Sequence, residues 1–253
     1  MRSRWPCGTT VVVPRSRDVA EVEGIRPMRR RQVRQPLIAV SGVDGSGKSS
    51  LVKGLVVRLE EAGEHADVVW FRPGMGMGWL DVPARLVKRL LRQARDPAVR
   101  LAGTGATPST RRGLLGYVWC LVVTGVFLLR VRSALRRAKG VVICDRYVID
   151  ALVTLRVFYE GVDVRLAERL VRRLLPAARL AFYLDVPASV AIARKPGDMV
   201  GEAAVRAQLA AYAEELAHQP QMRVLDAEAD PDALLDIVWA SAAQLLHDGN
   251  ARS

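Results

Sequence analysis

Residues Gly42 to Ser49 spell Gly-Val-Asp-Gly-Ser-Gly-Lys-Ser, and the apolar run Leu37 to Val40 stands directly before them. This G-x-x-x-x-G-K-S run constrains the chain more than any other feature, because its chemistry works only where a strand ends and a helix begins. The glycines let the backbone curl with its N–H groups inward. The expected triphosphate cradle comprises Gly42, Val43, Asp44, Gly45, Ser46, Gly47, Lys48, Ser49 and Ser50, with Lys48 reaching the β- and γ-phosphates and the Ser49 hydroxyl on Mg²⁺. A helix expected from Lys48 through Leu59 adds its positive N-terminal end to that cradle. ATP with Mg²⁺ is therefore the expected ligand. A chance glycine turn is the alternative, and the strand before it and helix after it weigh against that.

The bulk numbers fit such a chain. With 253 residues, half of them hydrophobic, it can bury a full core, and one domain of α/β size is expected. Cys7, Cys120 and Cys144 share no metal-type spacing, and the last two lie in apolar runs, which suits a reducing cytoplasm. The formal charge of +12 is partly carried by the first 36 residues, where nine arginines oppose Asp18, Glu21 and Glu23. A phosphate-handling pocket and a basic tail account for the charge without a specific nucleic-acid partner. No secretory signal is visible at the N-terminus. The apolar segment 114–129, flanked by Arg111, Arg112 and Arg130, is shorter than the roughly 18–20 residues of a spanning helix. A buried core helix is the favoured reading, with membrane association through 114–129 the lesser one and half of a homodimer interface left open.

Along the chain, residues 1–35 carry Pro6, Pro14 and Pro27 without a sustained apolar period and read as a flexible Arg-rich extension, with Met28 open as the start. Residues 36–248 form the expected catalytic domain. Strands are expected at Leu37 to Val40, His65 to Phe71, Val141 to Cys144, Leu180 to Leu184 and Arg223 to Asp226. Helices are expected after the first strand, at Arg85 to Arg95, from about Arg111 to Lys139, at Val164 to Leu175, Ser189 to Ala193, Glu202 to Ala217 and Asp232 to His247. Strands alternating with helices in this rhythm imply a P-loop NTPase fold: α/β, a doubly wound parallel five-stranded sheet with helices on both faces and a short lid at about 194–201.

Polar groups then gather at the expected strand ends: Asp44, Arg72 before Pro73-Gly74, Asp145-Arg146, and the basic turn Arg194-Lys195. Phosphoryl transfer needs cationic clamps, a metal and an acceptor held in line, with little covalent work from the protein. Asp145, at the tip of a buried strand, suits Mg²⁺ together with Ser49. Arg146 is set to grip the acceptor phosphate or the transferred group, and mutual pairing with Asp145 is disfavoured because neighbours on a strand point to opposite faces. Arg72 suits a phosphate contact better than an ordinary surface role. Arg194 and Lys195 are balanced between a catalytic role and a solvated turn.

These motifs, in this order, resemble the thymidylate kinase family of nucleoside-monophosphate kinases over Pro36 to Leu246. The most specific match is Val141-Val142-Ile143-Cys144-Asp145-Arg146-Tyr147, which is similar to the family's Asp-Arg-Tyr strand. Phe71-Arg72-Pro73-Gly74 resembles its strand-end Arg-x-Pro-Gly loop with one residue dropped. Leu184-Asp185-Val186-Pro187 resembles the strand before the ATP lid, Tyr212 with Leu216-Ala217 the helix after it, and Val224-Leu225-Asp226-Ala227 the last strand, whose following loop lies near adenine.

The resemblance implies ATP- and Mg²⁺-dependent transfer to a nucleoside monophosphate, dTMP foremost. The implied roles are Lys48, Arg146 and Arg194 in catalysis, Asp44, Arg72, Arg146 and Tyr147 at the acceptor, and Ser49 and Asp145 at the metal. Gly45 after Asp44 marks the subtype whose catalytic cation comes from the lid, hence Arg194. The family's Ser-x-x-Ala-Tyr-Gln continuation is replaced by Asp150, Val153, Thr154 and Leu155, and its long-helix arginine falls near Val123 or Thr124. The resemblance thus carries phosphoryl transfer further than it carries thymine recognition. Tyr147 stays open between acceptor contact and core. Asp150 is open between a sugar hydroxyl and a pair with Arg156 or Arg146. An ATP-binding protein with a different small acceptor, or one that binds nucleotide without turnover, is the competing reading.

Overall fold

The computed structural model describes residues 35–70, 114–159, 161–194 and 202–250. Within them the elements run β1 (Leu37–Gly42), α1 (Lys48–Glu61), β2 (Ala66–Trp70), α2 (Leu114–Arg137), β3 (Val141–Asp145), α3 (Val148–Phe158), α4 (Arg165–Leu174), β4 (Leu180–Asp185), α5 (Ala188–Ala193), α6 (Glu202–Ala217), β5 (Arg223–Asp226) and α7 (Pro231–Asn250). The extension 1–34, Arg72, the helix expected at 85–95 and lid residues 195–201 lie outside the described residues.

All five strands are parallel, in the order β2-β3-β1-β4-β5. From the central β1 the chain builds one side of the sheet first and then the other, so the order reverses at β1. In open α/β sheets, ligands bind outside the carboxyl ends of the strands at such a reversal. The register places Val40 beside Asp145 and Gly42 beside Leu184, so the glycine-rich loop and the end of β3 leave the sheet side by side.

Each sheet face has its own core, and alternate residues of β1 are divided between them. Ile38 and Val40 pack with Leu51 and Leu55 of α1, Tyr212 of α6, and Val238 and Ala242 of α7. Leu37 and Ala39 pack with Cys120, Phe127, Val131 and Leu135 of α2 and Val171 of α4. Burial on both faces explains why β1 and β3 read as unbroken apolar runs.

The helix α3 is an element that the sequence reading did not assign. Ile149 and Val153 enter the first core while Ala151, Leu152 and Leu155 enter the second. A helix that is apolar all round shows no single stripe, so periodicity gives no signal for it.

The apolar segment continues past its expected end, and Gly116–Arg137 is long and apolar enough to cross a membrane by length and composition. Yet the side carrying Cys120, Val123, Phe127, Leu128, Val131 and Leu135 is buried against the protein's own core. Thr124, close to where the family's helix arginine would fall, is also buried and donates its hydroxyl to the Cys120 carbonyl at 2.8 Å.

Candidate functional site

The loop from Gly42 to Gly47 turns on left-handed backbone, with φ of 88° at Gly45 and 89° at Gly47. Gly45 is doubly required: a Cβ there would stand 2.3 Å from the Ala191 carbonyl oxygen, so α5 lies directly against the loop. Gly47 caps α1 without a side chain, and its carbonyl accepts from the N–H groups of Ser50 and Leu51 at 3.1 Å each. The orphan N–H groups of the first turn of α1 thus remain at the loop, as an anion site requires.

Lys48 folds back over this loop, donating its Nζ to the Val43 carbonyl and, at 3.2 Å, to Ser46 Oγ. Burial is the main cause that lowers its pKa to about 8, and the Arg146 charge adds to it. Asp150, Asp44 and Asp145 oppose the shift. An arriving triphosphate would stabilise the charged form by the same Coulomb argument.

Ser49, one residue on, donates its hydroxyl to Asp145 Oδ2 at 3.0 Å. The other oxygen, Asp145 Oδ1, is buried and has no hydrogen-bond partner among the described residues. A buried carboxylate oxygen without a donor is costly unless something satisfies it. Mg²⁺ is commonly held by one or two protein oxygens together with substrate phosphates and water. The Asp145–Ser49 pair therefore fits Mg²⁺, although no cluster of three acidic, His or Cys ligands exists among the described residues.

Arg146 has a left-handed backbone, φ 77°, which is uncommon for a residue with a side chain. Its N–H continues the ladder to the Val40 carbonyl at 3.0 Å, while its guanidinium pairs with Asp44 and lies 3.6 Å from Asp150. Mutual pairing with Asp145 is not what the structure shows. Burial acts against its charge, but Asp150 and Asp44 together hold its pKa above the usual arginine value.

Of the two arginines open to Asp150, it is Arg146 that it faces, at 3.6 Å. It is buried, and it also accepts from the Tyr147 N–H at 3.0 Å and the Tyr212 hydroxyl at 2.7 Å. Tyr212 donates as well toward the Gly42 carbonyl at 3.2 Å. The sequence marks Tyr212 only as part of the helix after the lid and offers no sign that it meets Asp150. These partners lie 62 and 170 positions apart, beyond any local signal.

Two further expected residues stand elsewhere. Tyr147, implied at the acceptor and left open to the core, packs its ring in the core of the second sheet face, and its hydroxyl donates to the Pro176 carbonyl at 2.9 Å. A tyrosine flanking a buried strand gains more from burying its ring with a satisfied hydroxyl than from facing a polar pocket. Arg194, at the end of α5, donates through both terminal nitrogens to the Ala227 carbonyl at 3.1 Å. That carbonyl belongs to the loop after β5, so Arg194 here bridges lid root and loop.

A triphosphate loop at the reversal point of a parallel sheet, with a metal-competent aspartate and a buried arginine on the neighbouring strand, defines a P-loop protein of the nucleotide kinase type. No family model matches the chain. A curated thymidylate kinase from Thermomicrobium roseum is 29% identical over 232 residues, which is 84% of this chain and 96% of that protein. Among solved structures, a deoxyadenosine kinase from M. mycoides with products dCMP and a flexible dCDP bound has a TM-score of 0.52 at 16% identity, covering 82% of this chain and 99% of that one. The same kinase with bound dATP has a TM-score of 0.52 at 17% identity, with the same coverage. The chain is thymidylate kinase-like.

Proposed function

We propose that the protein transfers the γ-phosphoryl group of ATP to a nucleoside monophosphate, dTMP foremost, with Mg²⁺. The observation that carries this reading is the convergence of Lys48, the Ser49–Asp145 pair and the Arg146–Asp44 pair at the ends of β1 and β3. The N–H groups of the glycine loop and Lys48 would hold the donor phosphates and offset charge that develops toward the leaving ADP. Ser49 and Asp145 would hold Mg²⁺, which when bound supplies positive charge to the phosphate oxygens. Arg146, steadied by Asp44, would grip the acceptor together with Arg72. The new bond joins an acceptor phosphate oxygen to the γ-phosphorus, and the bond to the β,γ-bridging oxygen breaks. No protein nucleophile is needed.

Arg194 enters this reading as the lid-borne cation. Its place on the Ala227 carbonyl, three residues beyond the Ala191 carbonyl that abuts Gly45, keeps it beside the donor loop. A rotation off Ala227 would be its route to the phosphates.

A second reading keeps the mechanism and changes the acceptor. Val153, Thr154 and Leu155 are buried where the resemblance expects residues that read thymine, which favours an acceptor without that base. ADP release over a panel of nucleoside monophosphates, nucleosides and sugar phosphates tests both. Release with dTMP alone supports the first reading, and release with another compound supports the second. Absence of acceptor-dependent release, or a Lys48→Ala rate equal to wild type, refutes phosphoryl transfer by this loop.

A further inference from the structure

The most heavily connected buried polar group near the loop is one that the mechanism above does not use. Asp150 sits in the first turn of α3, 2% exposed, at the meeting point of three parts of the molecule. Its Oδ1 accepts from the Tyr212 hydroxyl at 2.7 Å, faces Arg146 at 3.6 Å and the Gly42 N–H at 3.5 Å, and its Oδ2 accepts from the Tyr147 N–H at 3.0 Å. One carboxylate therefore touches the entry of the phosphate loop, the arginine beside the metal-competent aspartate, and α6, the helix that follows the lid segment.

The connection through Tyr212 is stiff. That ring is fully buried, packs at a tilt of 41° against Tyr183 with centroids 5.1 Å apart, and gives its hydroxyl to both Asp150 and the Gly42 carbonyl. Arg146, in contrast, has an unusual backbone and a long side chain that could hydrogen-bond in several places. Asp44, its other partner, lies on the loop that a triphosphate must occupy and is partly exposed. Asp150 is the partner of Arg146 whose two shortest hydrogen bonds, from the Tyr212 hydroxyl and the Tyr147 N–H, come from outside that loop.

We propose that Asp150 is a positioning residue, fixing the Arg146 guanidinium for the acceptor and tying its placement, through Tyr212, to the helix behind the lid. The inference rests on the kinase reading given above. Asp150 touches neither donor nor acceptor; it acts through Arg146. A carboxylate in this role does more than cap α3, because a cap alone would leave acceptor kinetics untouched.

The test is steady-state kinetics of the full chain with Asp150→Asn, Tyr212→Phe and the double variant, varying ATP and the acceptor separately. Asn keeps the shape and one accepting oxygen while removing the charge, and Phe keeps the ring while removing the donor. A misplacement of about 1 Å at a reacting group can cost on the order of 10²-fold. The expected result is an acceptor kcat/KM lowered at least 10-fold in D150N and less in Y212F, with KM for ATP within about 2-fold of wild type. The double variant should lose less than the product of the single losses, since both act on one network. Wild-type acceptor kinetics in D150N, or in Y212F if D150N does not fold, overturns the positioning role. An equal loss toward ATP and acceptor does so too, because it marks general damage. Lack of any acceptor-dependent turnover in the wild type instead overturns the kinase reading, and the proposal with it.

Discussion

Gly45 and Gly47 share one backbone conformation and differ in one respect, which makes them a matched pair. Both have φ near 89°, but an added Cβ at Gly47 meets nothing within 4 Å, whereas at Gly45 it meets the Ala191 carbonyl oxygen at 2.3 Å. Gly47→Ala therefore reports the left-handed backbone alone, about 1–2 kcal/mol for a residue with a Cβ. Gly45→Ala adds a collision. An ordinary carbon–oxygen contact is near 3.3 Å, so loop and α5 must separate by about 1 Å, and overpacking of that size costs typically about 1–3 kcal/mol more. The expected losses of unfolding free energy are about 1–2 kcal/mol for Gly47→Ala and about 2–5 kcal/mol for Gly45→Ala.

Urea denaturation without nucleotide measures both, and the difference between the variants isolates the contact with α5. The separation also has a kinetic face, since α5 carries Arg194 three residues beyond Ala191. Gly45→Ala should therefore lose turnover that Gly47→Ala, judged at equal ATP saturation, keeps to a greater degree. Equal denaturation midpoints and slopes for the two variants would refute the reasoning: they would mean that the loop does not rest on the Ala191 carbonyl.

Three other perturbations follow from the same geometry. Asp145→Asn removes the charge beside Ser49, and should raise the Mg²⁺ concentration for half-maximal ADP release on the order of 10–100-fold, as loss of a metal-site partner typically does; an unchanged Mg²⁺ titration would remove Asp145 from the metal site. Asp67 accepts from the N–H of Lys139 at 2.8 Å, the largest cause that holds its carboxyl below the usual range. Its folded pKa is depressed, so its stabilisation is full above the unfolded carboxylate pKa and is lost as pH falls through the folded one. Denaturation of wild type and Asp67→Asn should hence differ near neutrality and converge in acid; a gap that widens in acid has the wrong sign. Glu215 is fully buried and takes Arg156 and Arg172 at 2.7 Å each, tying α6 to α3 and α4. Because both arginines keep partial access to water, Glu215→Gln should cost about 2 kcal/mol rather than the full penalty of a stranded buried charge, and calorimetry should show a melting point lower by about 4–8 °C; no shift would deny the clamp.

How much of this was legible depended on the range of the signal. The loop, its strand and its helix form one contiguous word, and α1 begins at Lys48 as the spelling demands. The central strands β1 and β3 were legible because burial on both faces leaves uninterrupted apolar runs, and all five strands stand near their expected places in a parallel sheet. The helix α3 was not, since its sequence has polar residues too few and too scattered to mark a face. Tyr147 was left open for a related reason: the Asp-Arg-Tyr spelling places three residues together along the chain, yet β3 ends at Asp145, Arg146 turns left-handed, and Tyr147 packs into the core of the second sheet face.

The arginine at that turn shows why charge at the site could not be read from composition. The chain is strongly basic, and a reader of its net charge would expect a pocket of unopposed cations around a phosphate. Instead Arg146 is paired with Asp44 and faces Asp150, and Lys48 is buried among the same carboxylates. A bare buried cation would cost several kcal/mol in desolvation and would shift toward neutrality, which for a lysine means losing the charge that it must present. Carboxylates close by keep the cations charged and aimed before any substrate arrives. Among the described residues the site is therefore a near-balanced set of ions whose attraction for phosphate is delivered by geometry: the loop's N–H groups and a metal that the Asp145 oxygen left without a partner among those residues is placed to receive.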